Sequence, residues 1–307
     1  MSKQYFATSL IPNAHKSDIF SVATSKSYAL TCSGSSEISI WNAAPSSDHA
    51  LVRTIPTSHR IGIHHVCVDE SADLLAACGF EGDISLYSLS TGTRKTTLSN
   101  PKSSYWAIAF SDPAEFLVAT ALNGTITVFN TADDAIPQCG YLQTKGSPGL
   151  AIDYSSDGKF IASAHENGGL YIFSTETARL LHSLPGHIKP IRTLAFSPSS
   201  KLIAAAGDSC VITVYDVASA EQVFNLPGHT RWVMALDWNV TGEYLLSGSF
   251  DKSLRVWSVE STECVASQTE SDGPIWAVKW IQTRSPQGFL SAGTDKTIRW
   301  YREATGG

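Results

Sequence analysis

The groups able to do chemistry in this chain are its nine histidines, six cysteines and 28 acidic side chains, and their spacing decides which reactions are open to it. The densest run of metal-ligand types is His64-His65-Val66-Cys67. Neighbours on a strand point to opposite faces, so at most His65 and Cys67 share one side, and two ligands are too few for a zinc site. The run is read instead as one hydrogen-bonded buried histidine beside one that lines a surface or a channel. No G-x-S-x-G nucleophile elbow, phosphate-cradling G-x-x-x-x-G-K, H-E-x-x-H helix or dinucleotide fingerprint is present. His15, His59, His187 and His229 fit loop-to-strand hydrogen bonding better than general-base work. The expectation is a protein that is not an enzyme, with no catalytic residue, no metal and no cofactor.

Composition narrows the classes further. Lys and Arg number 22 against 28 Asp and Glu, a net charge of -6 without a basic cluster. Holding nucleic acid by neutralising phosphates needs a basic face, so direct nucleic-acid binding is not expected. No stretch approaches the roughly 18 continuous apolar residues that span a bilayer, and the start MSKQYFATSLIPNAHKSD lacks the layout of a signal peptide. The chain is expected to be soluble and intracellular, with no membrane partner. Cys32, Cys67, Cys78, Cys139, Cys210 and Cys264 contain no C-x-x-C pair and read mostly as small core residues. Asn123-Gly124-Thr125 and Asn239-Val240-Thr241 are glycosylation triplets only in a secreted chain, and here read as turns.

The elements that position these residues show themselves as a repeat. Seven short segments alternate apolar and polar residues and end in an aromatic, at Trp41, Tyr87, Phe129, Phe173, Tyr215, Trp257 and Tyr301. The aromatics are spaced 46, 42, 44, 42, 42 and 44 residues apart, and the small differences fit in loops. Each unit reads as four short strands. In unit six these are Trp232 to Trp238, Tyr244 to Ser249, Leu254 to Trp257 and Glu263 to Ser267. Phe80-Glu-Gly-Asp, Leu122-Asn-Gly-Thr and Glu166-Asn-Gly-Gly supply the positive φ that tight hairpins prefer.

A four-stranded unit cannot bury both faces alone, so such units stack, and antiparallel units of this length close radially. The expected fold class is all-β: one seven-bladed β-propeller over residues 1–307, with approximate repeats 11–55, 56–98, 99–143, 144–184, 185–226, 227–268 and 269–302. Little chain follows Tyr301, too little for a fourth strand, while residues 4–10 precede the first inner strand with nothing to pair with. These deficits match, so residues 4–10 are expected to close the ring as the outer strand of the last blade.

Gly186-His187 and Gly228-His229 each stand 28 residues before the strand-ending aromatic. With Ser247, Asp251 and Trp257 they resemble the WD-repeat family, whose His, Ser/Thr, Asp and Trp form a hydrogen-bonded set; here that set is His229, Ser247, Asp251 and Trp257. Only unit six matches it throughout. Unit one has His15 and Thr31 but Ser35 in place of the acid, units two to four place Glu81, Asn123 and Asn167 at the turn, and unit seven keeps Ser291 and Asp295 without the histidine.

The resemblance also implies which side chains furnish the top face near the channel. The matching positions include Asp18, Phe20, His64, Phe80, Trp106, Leu122, Glu166, Arg192, Trp232, Met234, Phe250 and Trp276. A contiguous aromatic patch is costly to leave wet and marks an interface. Individually, Trp106 and Trp276 are also compatible with packing between blades. With Asp18 and Glu166 nearby, the patch suits a peptide bearing one Arg and one aromatic, the cation stacking on rings while carboxylates orient its fork.

At the last two units the resemblance narrows. WVMALDWNVTGEYLLSGSFDKSLRVWSVESTECVASQ, IWAVKW and SAGTDKTIRWYREATGG look similar to the WD-repeat subunits of superkiller (Ski) complexes. That implies a non-catalytic scaffold acting with an RNA helicase and a tetratricopeptide-repeat subunit to feed messenger RNA to the exosome for 3'-to-5' decay. It further implies a nuclear role in fungi with the topoisomerase-like enzyme that makes meiotic double-strand breaks, hence a cytoplasmic and nuclear location. The partners implied present a Gln-Arg motif with a following aromatic. The alternatives are a substrate receptor for ubiquitin ligases or chromatin complexes and, from another class, a propeller enzyme with catalysis at the channel.

Overall fold

Tight turns cut each repeat into short strands, and the backbone shows why glycine is needed in them. Gly82 sits at φ 87°, and a Cβ there would fall 2.2 Å from the Ser104 side chain. The second strand of each repeat runs between neighbours on both faces, so it reads as continuous apolar or small residues rather than alternating. Leu74–Gly79 is buried at all six positions, and its alanines let adjacent sheets approach closely.

The computed structural model describes residues 3–44, 48–71, 73–282 and 287–304. Among them are 28 strands and no helix, arranged as seven antiparallel four-stranded sheets. We number the blades 1 to 7 by their innermost strands: Ile19–Thr24, Ile63–Asp69, Tyr105–Phe110, Gly149–Tyr154, Ile191–Phe196, Val233–Trp238 and Ile275–Trp280. Blades 1 to 6 follow chain order outwards. In blade 7 the outermost strand is Tyr5–Ile11, antiparallel to Ile298–Glu303 with Tyr5 opposite Glu303 and Ile11 opposite Ile298.

The hydrophobic core is divided in the same way. Seven clusters of buried residues each draw on two adjacent blades, including one that joins Ile19, Trp41 and Val22 of blade 1 to Leu290, Ile298 and Trp300 of blade 7. Burial between blades, at roughly 25 cal/mol per Å² of apolar surface, is therefore what makes a single blade dependent on its neighbours. Tyr5 belongs to this packing, with its ring 4.9 Å from that of Phe289 and 6.0 Å from that of Trp280.

Side chains of the innermost strands also bond across the blade boundaries. Ser21 accepts from the Val66 N–H, His65 Nδ1 from Ile108, Asp153 from Phe196, Thr193 from Leu236 and Asp237 from Trp280, at 2.7 to 3.2 Å. Thr24 donates to the Trp280 carbonyl and so ties blade 1 to blade 7. Together the innermost strands enclose a central channel of about 1260 Å³.

Candidate functional site: an aromatic crescent at the channel mouth

The innermost strand of every blade carries a β-bulge at the same place. Pairing with the second strand skips Phe20, His64, Trp106, Leu150, Arg192, Met234 and Trp276 in blades 1 to 7. A bulged residue leaves the ladder and its side chain is re-aimed. All seven line the channel. The fold thus offers seven channel-lining positions, and sequence decides what fills them.

Four of the seven are rings, and residues from adjacent loops join them into a continuous crescent. Trp106 stacks on His64 at 4.3 Å and 23°, and His64 and Trp106 both meet Phe80. Phe80 meets Phe20 at 5.3 Å, Phe20 meets Trp276 at 6.0 Å, Trp276 meets Phe250 at 6.0 Å and Phe250 meets Trp232 at 5.5 Å. These are tilted, edge and offset geometries that ring quadrupoles favour. Arg192 ends the crescent, its guanidinium 4.4 Å over Trp232 and paired through two nitrogens with Asp208. The crescent covers blades 3, 2, 1, 7, 6 and 5. It is open at blade 4, where the bulge residue is Leu150.

Trp232 is 42% exposed and Phe80 37%, while Phe20, Trp106, Phe250 and Trp276 are half-buried. Trp106 also packs in part against the core between blades 3 and 4. Burial pushes the His64 pKa down to about 3, with His65 adding to the effect, so the imidazole on Trp106 is neutral. Two donors or acceptors in the crescent, His64 Nε2 and Trp276 Nε1, have no hydrogen-bond partner among the described residues.

Deeper in the channel the polar groups are paired. Lys279 Nζ lies 2.6 Å from Asp237, and although burial works against the ammonium, Asp237 and Asp153 outweigh it and hold Lys279 charged. Burial raises the Asp153 carboxyl to about 6 against the N–H of Phe196 and the charge of Lys279. Among the described residues no group of three or more His, Cys, Asp or Glu is arranged to hold a metal ion.

The model for the WD domain, G-beta repeat, matches residues 178–216 and 220–258. Across 306 residues, 99% of each chain, the sequence is 42% identical to the meiotic recombination protein rec14 of Schizosaccharomyces pombe. The chain belongs to the WD-repeat family. It is also 27% identical to the antiviral protein SKI8 of Saccharomyces cerevisiae, over 64% of this chain and 61% of that one. Similarity to the WD repeat-containing protein VIP3 of Arabidopsis thaliana is 24% identity over 61% of this chain and 62% of the relative.

The hydrogen-bonded set of the WD repeat is laid out in full in blade 6. His229 Nδ1 is 2.9 Å from Asp251, His229 Nε2 is 2.7 Å from the Ser247 hydroxyl, and Trp257 Nε1 donates to that hydroxyl at 2.8 Å. Burial opposes ionisation of Asp251, but His229, Ser253 and the Thr230 N–H outweigh it and hold the carboxyl well below the usual range. Blade 1 builds a comparable network without an acid: His15 bonds Thr31, Trp41 donates to Thr31, and Ser33 bridges His15 to Ser35. In blade 2, Glu81 faces His59 and accepts from the N–H groups of Arg60 and Ile61. In blade 7, Arg299 occupies the acid's attention, pairing with Asp295.

Not every WD-repeat position behaves as the sequence suggested. His187, expected to be a hydrogen-bond partner, has Nε2 without a partner among the described residues, because Ala205, opposite Leu194, stands where blade 6 has the Ser247 hydroxyl opposite Leu236; Tyr215, in the tryptophan's place, turns its hydroxyl to the Pro185 carbonyl. Asp18, Leu122, Glu166 and Met234 are not joined to the rings; Leu122 and Glu166 flank the gap, exposed, and Met234 points into the channel. Arg231, 5.9 Å from Phe250, and Asp208, which fixes Arg192, were not singled out in the sequence. His165, bonded to Ser163 and the Ser147 carbonyl, was missed because it lies at the end of the second strand, outside the family's histidine position. The closing residues Thr305, Gly306 and Gly307 of the C-terminal motif lie outside the described residues.

Proposed function

We propose that this WD-repeat propeller is a non-catalytic scaffold whose crescent docks a short partner peptide carrying an arginine and an aromatic residue. The observation that carries the reading is the unbroken ring-to-ring path from Trp106 to Trp232, with Trp232 and Phe80 facing outwards. Half-exposed tryptophans in one patch are what hot spots are made of, and a guanidinium stacked on them contributes roughly 0.5 to 2 kcal/mol. The full-length similarity to a meiotic recombination protein and the partial similarity to an antiviral protein support two settings for the same face. In one, the scaffold joins a tetratricopeptide-repeat subunit and an RNA helicase in a Ski-like complex that assists exosome decay of messenger RNA in the cytoplasm. In the other, it holds a Gln-Arg motif of the topoisomerase-like meiotic break enzyme in the nucleus.

The test is affinity purification from native extract with the intact chain and with Trp106→Ala and Trp232→Ala. Recovery of a helicase and a large tetratricopeptide protein, lost in both variants, is the expected result. Recovery of cullin adaptors instead would move the reading to a ubiquitin-ligase receptor, and unchanged recovery in both variants would remove the crescent from the function.

A further inference from the structure

The two arms of the crescent have opposite electrostatics. On blades 5 and 6 the ring faces are already occupied by the chain's own cations, Arg192 over Trp232 at 4.4 Å and Arg231 at 5.9 Å from Phe250. Asp208 neutralises Arg192. Arg231 is exposed, and among the described residues it has no carboxylate within ion-pair distance. The side chain of Lys252, also exposed and on the same blade, donates to the backbone carbonyl of Asp272 and among the described residues pairs with no carboxylate.

The arm on blades 1 to 3 is different. No cation of the chain lies over Phe20, Phe80 or Trp106 among the described residues, and Asp18 stands two residues before Phe20. His64, which would repel an incoming guanidinium if protonated, is kept neutral by burial. Between the arms, the buried Nε1–H of Trp276 is a donor without an acceptor among the described residues.

We propose that the docked peptide lies in one polarity only, its cation over the Phe20–Phe80–Trp106 arm and an acidic side chain on Arg231. This rests on the docking function proposed above and adds a requirement to it: the partner must carry a carboxylate as well as an arginine. The spacing follows from the rings. Phe80, Phe20, Trp276 and Phe250 are separated by steps of 5.3, 6.0 and 6.0 Å. An extended chain rising ~3.3 Å per residue covers that path in about five residues. A backbone carbonyl midway satisfies Trp276.

The probes are short blocked peptides with an arginine, a central tyrosine and, about five residues after the arginine, either aspartate or lysine, together with a version in which arginine and aspartate change places. Binding to the full chain is followed by fluorescence anisotropy at low and high salt. Either the aspartate peptide or its exchanged version is expected to bind about threefold or more tighter than both other peptides, the range of an exposed charge pair, with the gap narrowing as salt screens it. Arg231→Glu, an exposed substitution expected to keep the thermal melt, should remove that preference and, where the aspartate peptide was the preferred one, favour the lysine peptide. If all three peptides bind alike and Arg231→Glu changes nothing while Phe80→Ala weakens all of them, the polarity is wrong and the docking site stands. If no peptide binds, or Phe80→Ala has no effect, the docking site itself is wrong and the polarity falls with it.

Discussion

Two of the three tryptophans of blade 6 have opposite fates. Trp257 is 2% exposed and spends its indole N–H on Ser247, while Trp232 is 42% exposed and offers its face to Arg192 and to solvent. The difference is one of address within the repeat. Trp257 lies within the third strand, Leu254–Ser258, where the neighbouring sheet covers it; Trp232 immediately precedes the innermost strand, where the bulge and the hairpin loop open onto the channel mouth. The same residue type therefore serves packing or recognition according to which position of the β unit carries it, and the two classes respond to different measurements.

The packing class extends to Tyr5, and removing it together with its strand is the most severe way to break the comparison. Without residues 1–12 the outer edge of blade 7 is unpaired and the Phe289 and Trp280 rings lose their cover. The thermal midpoint should fall by about 10 °C or more, since several kcal/mol of buried aromatic and a full strand ladder are lost. An unchanged melt would mean that closure does not depend on this strand. Next in size is Trp257→Ala. It should destabilise by about 3–5 kcal/mol, the usual range for a buried tryptophan, yet leave partner affinity intact in the folded fraction. Denaturant titration beside a binding assay separates the two.

Face tryptophans should show the reverse. Trp232→Ala or Trp106→Ala is expected to weaken partner binding by more than about 1 kcal/mol, with the smaller stability loss at Trp232 because Trp106 also packs against the core between blades 3 and 4. Calorimetric binding and thermal melts on the same preparations check this. A Trp232 variant that melts early and binds normally would merge the two classes.

Much of this division was legible in the sequence, and the reason is periodicity. Seven evenly spaced aromatics require seven similar units, and Phe20, His64, Trp106 and Trp276 stand at equivalent positions in theirs. What could not be read was the bulge that skips each of those positions, because it leaves no mark in residue type: Phe, His, Trp, Leu, Arg and Met all occupy it. Nor could the pairing of Arg192 with Asp208, 16 residues away, or the seat of Arg231 beside Phe250. Those depend on where loops of different strands meet in space. Substitution within the blade networks was equally hidden, since Ser33 and Ser35 do in blade 1 what Asp251 does in blade 6 by hydroxyl bridging rather than by charge.

Carboxylates divide as the tryptophans do, and pH distinguishes them with the smallest effect. Asp251 has a lowered pKa, so its contribution is present above the unfolded value near 4 and is lost as pH falls through the folded value. Asp153 is the opposite case: burial raises it to about 6 from 3.8, so the folded state binds a proton more readily than the unfolded one between those values. Stability then declines as pH climbs through that window, and above about pH 6 the ionised Asp153 is a standing penalty, offset in part by the Phe196 N–H and by Lys279. Asp153→Asn keeps an acceptor for Phe196 and removes the charge. It should raise unfolding free energy at pH 7.5 by about 1–2 kcal/mol, below the full value of the shift because the residue lines the channel and is partly screened. At pH 4 the gain should shrink towards zero. Urea titrations of both proteins at the two pH values decide it, and a gain that is the same at each would place the effect in packing rather than in the charge.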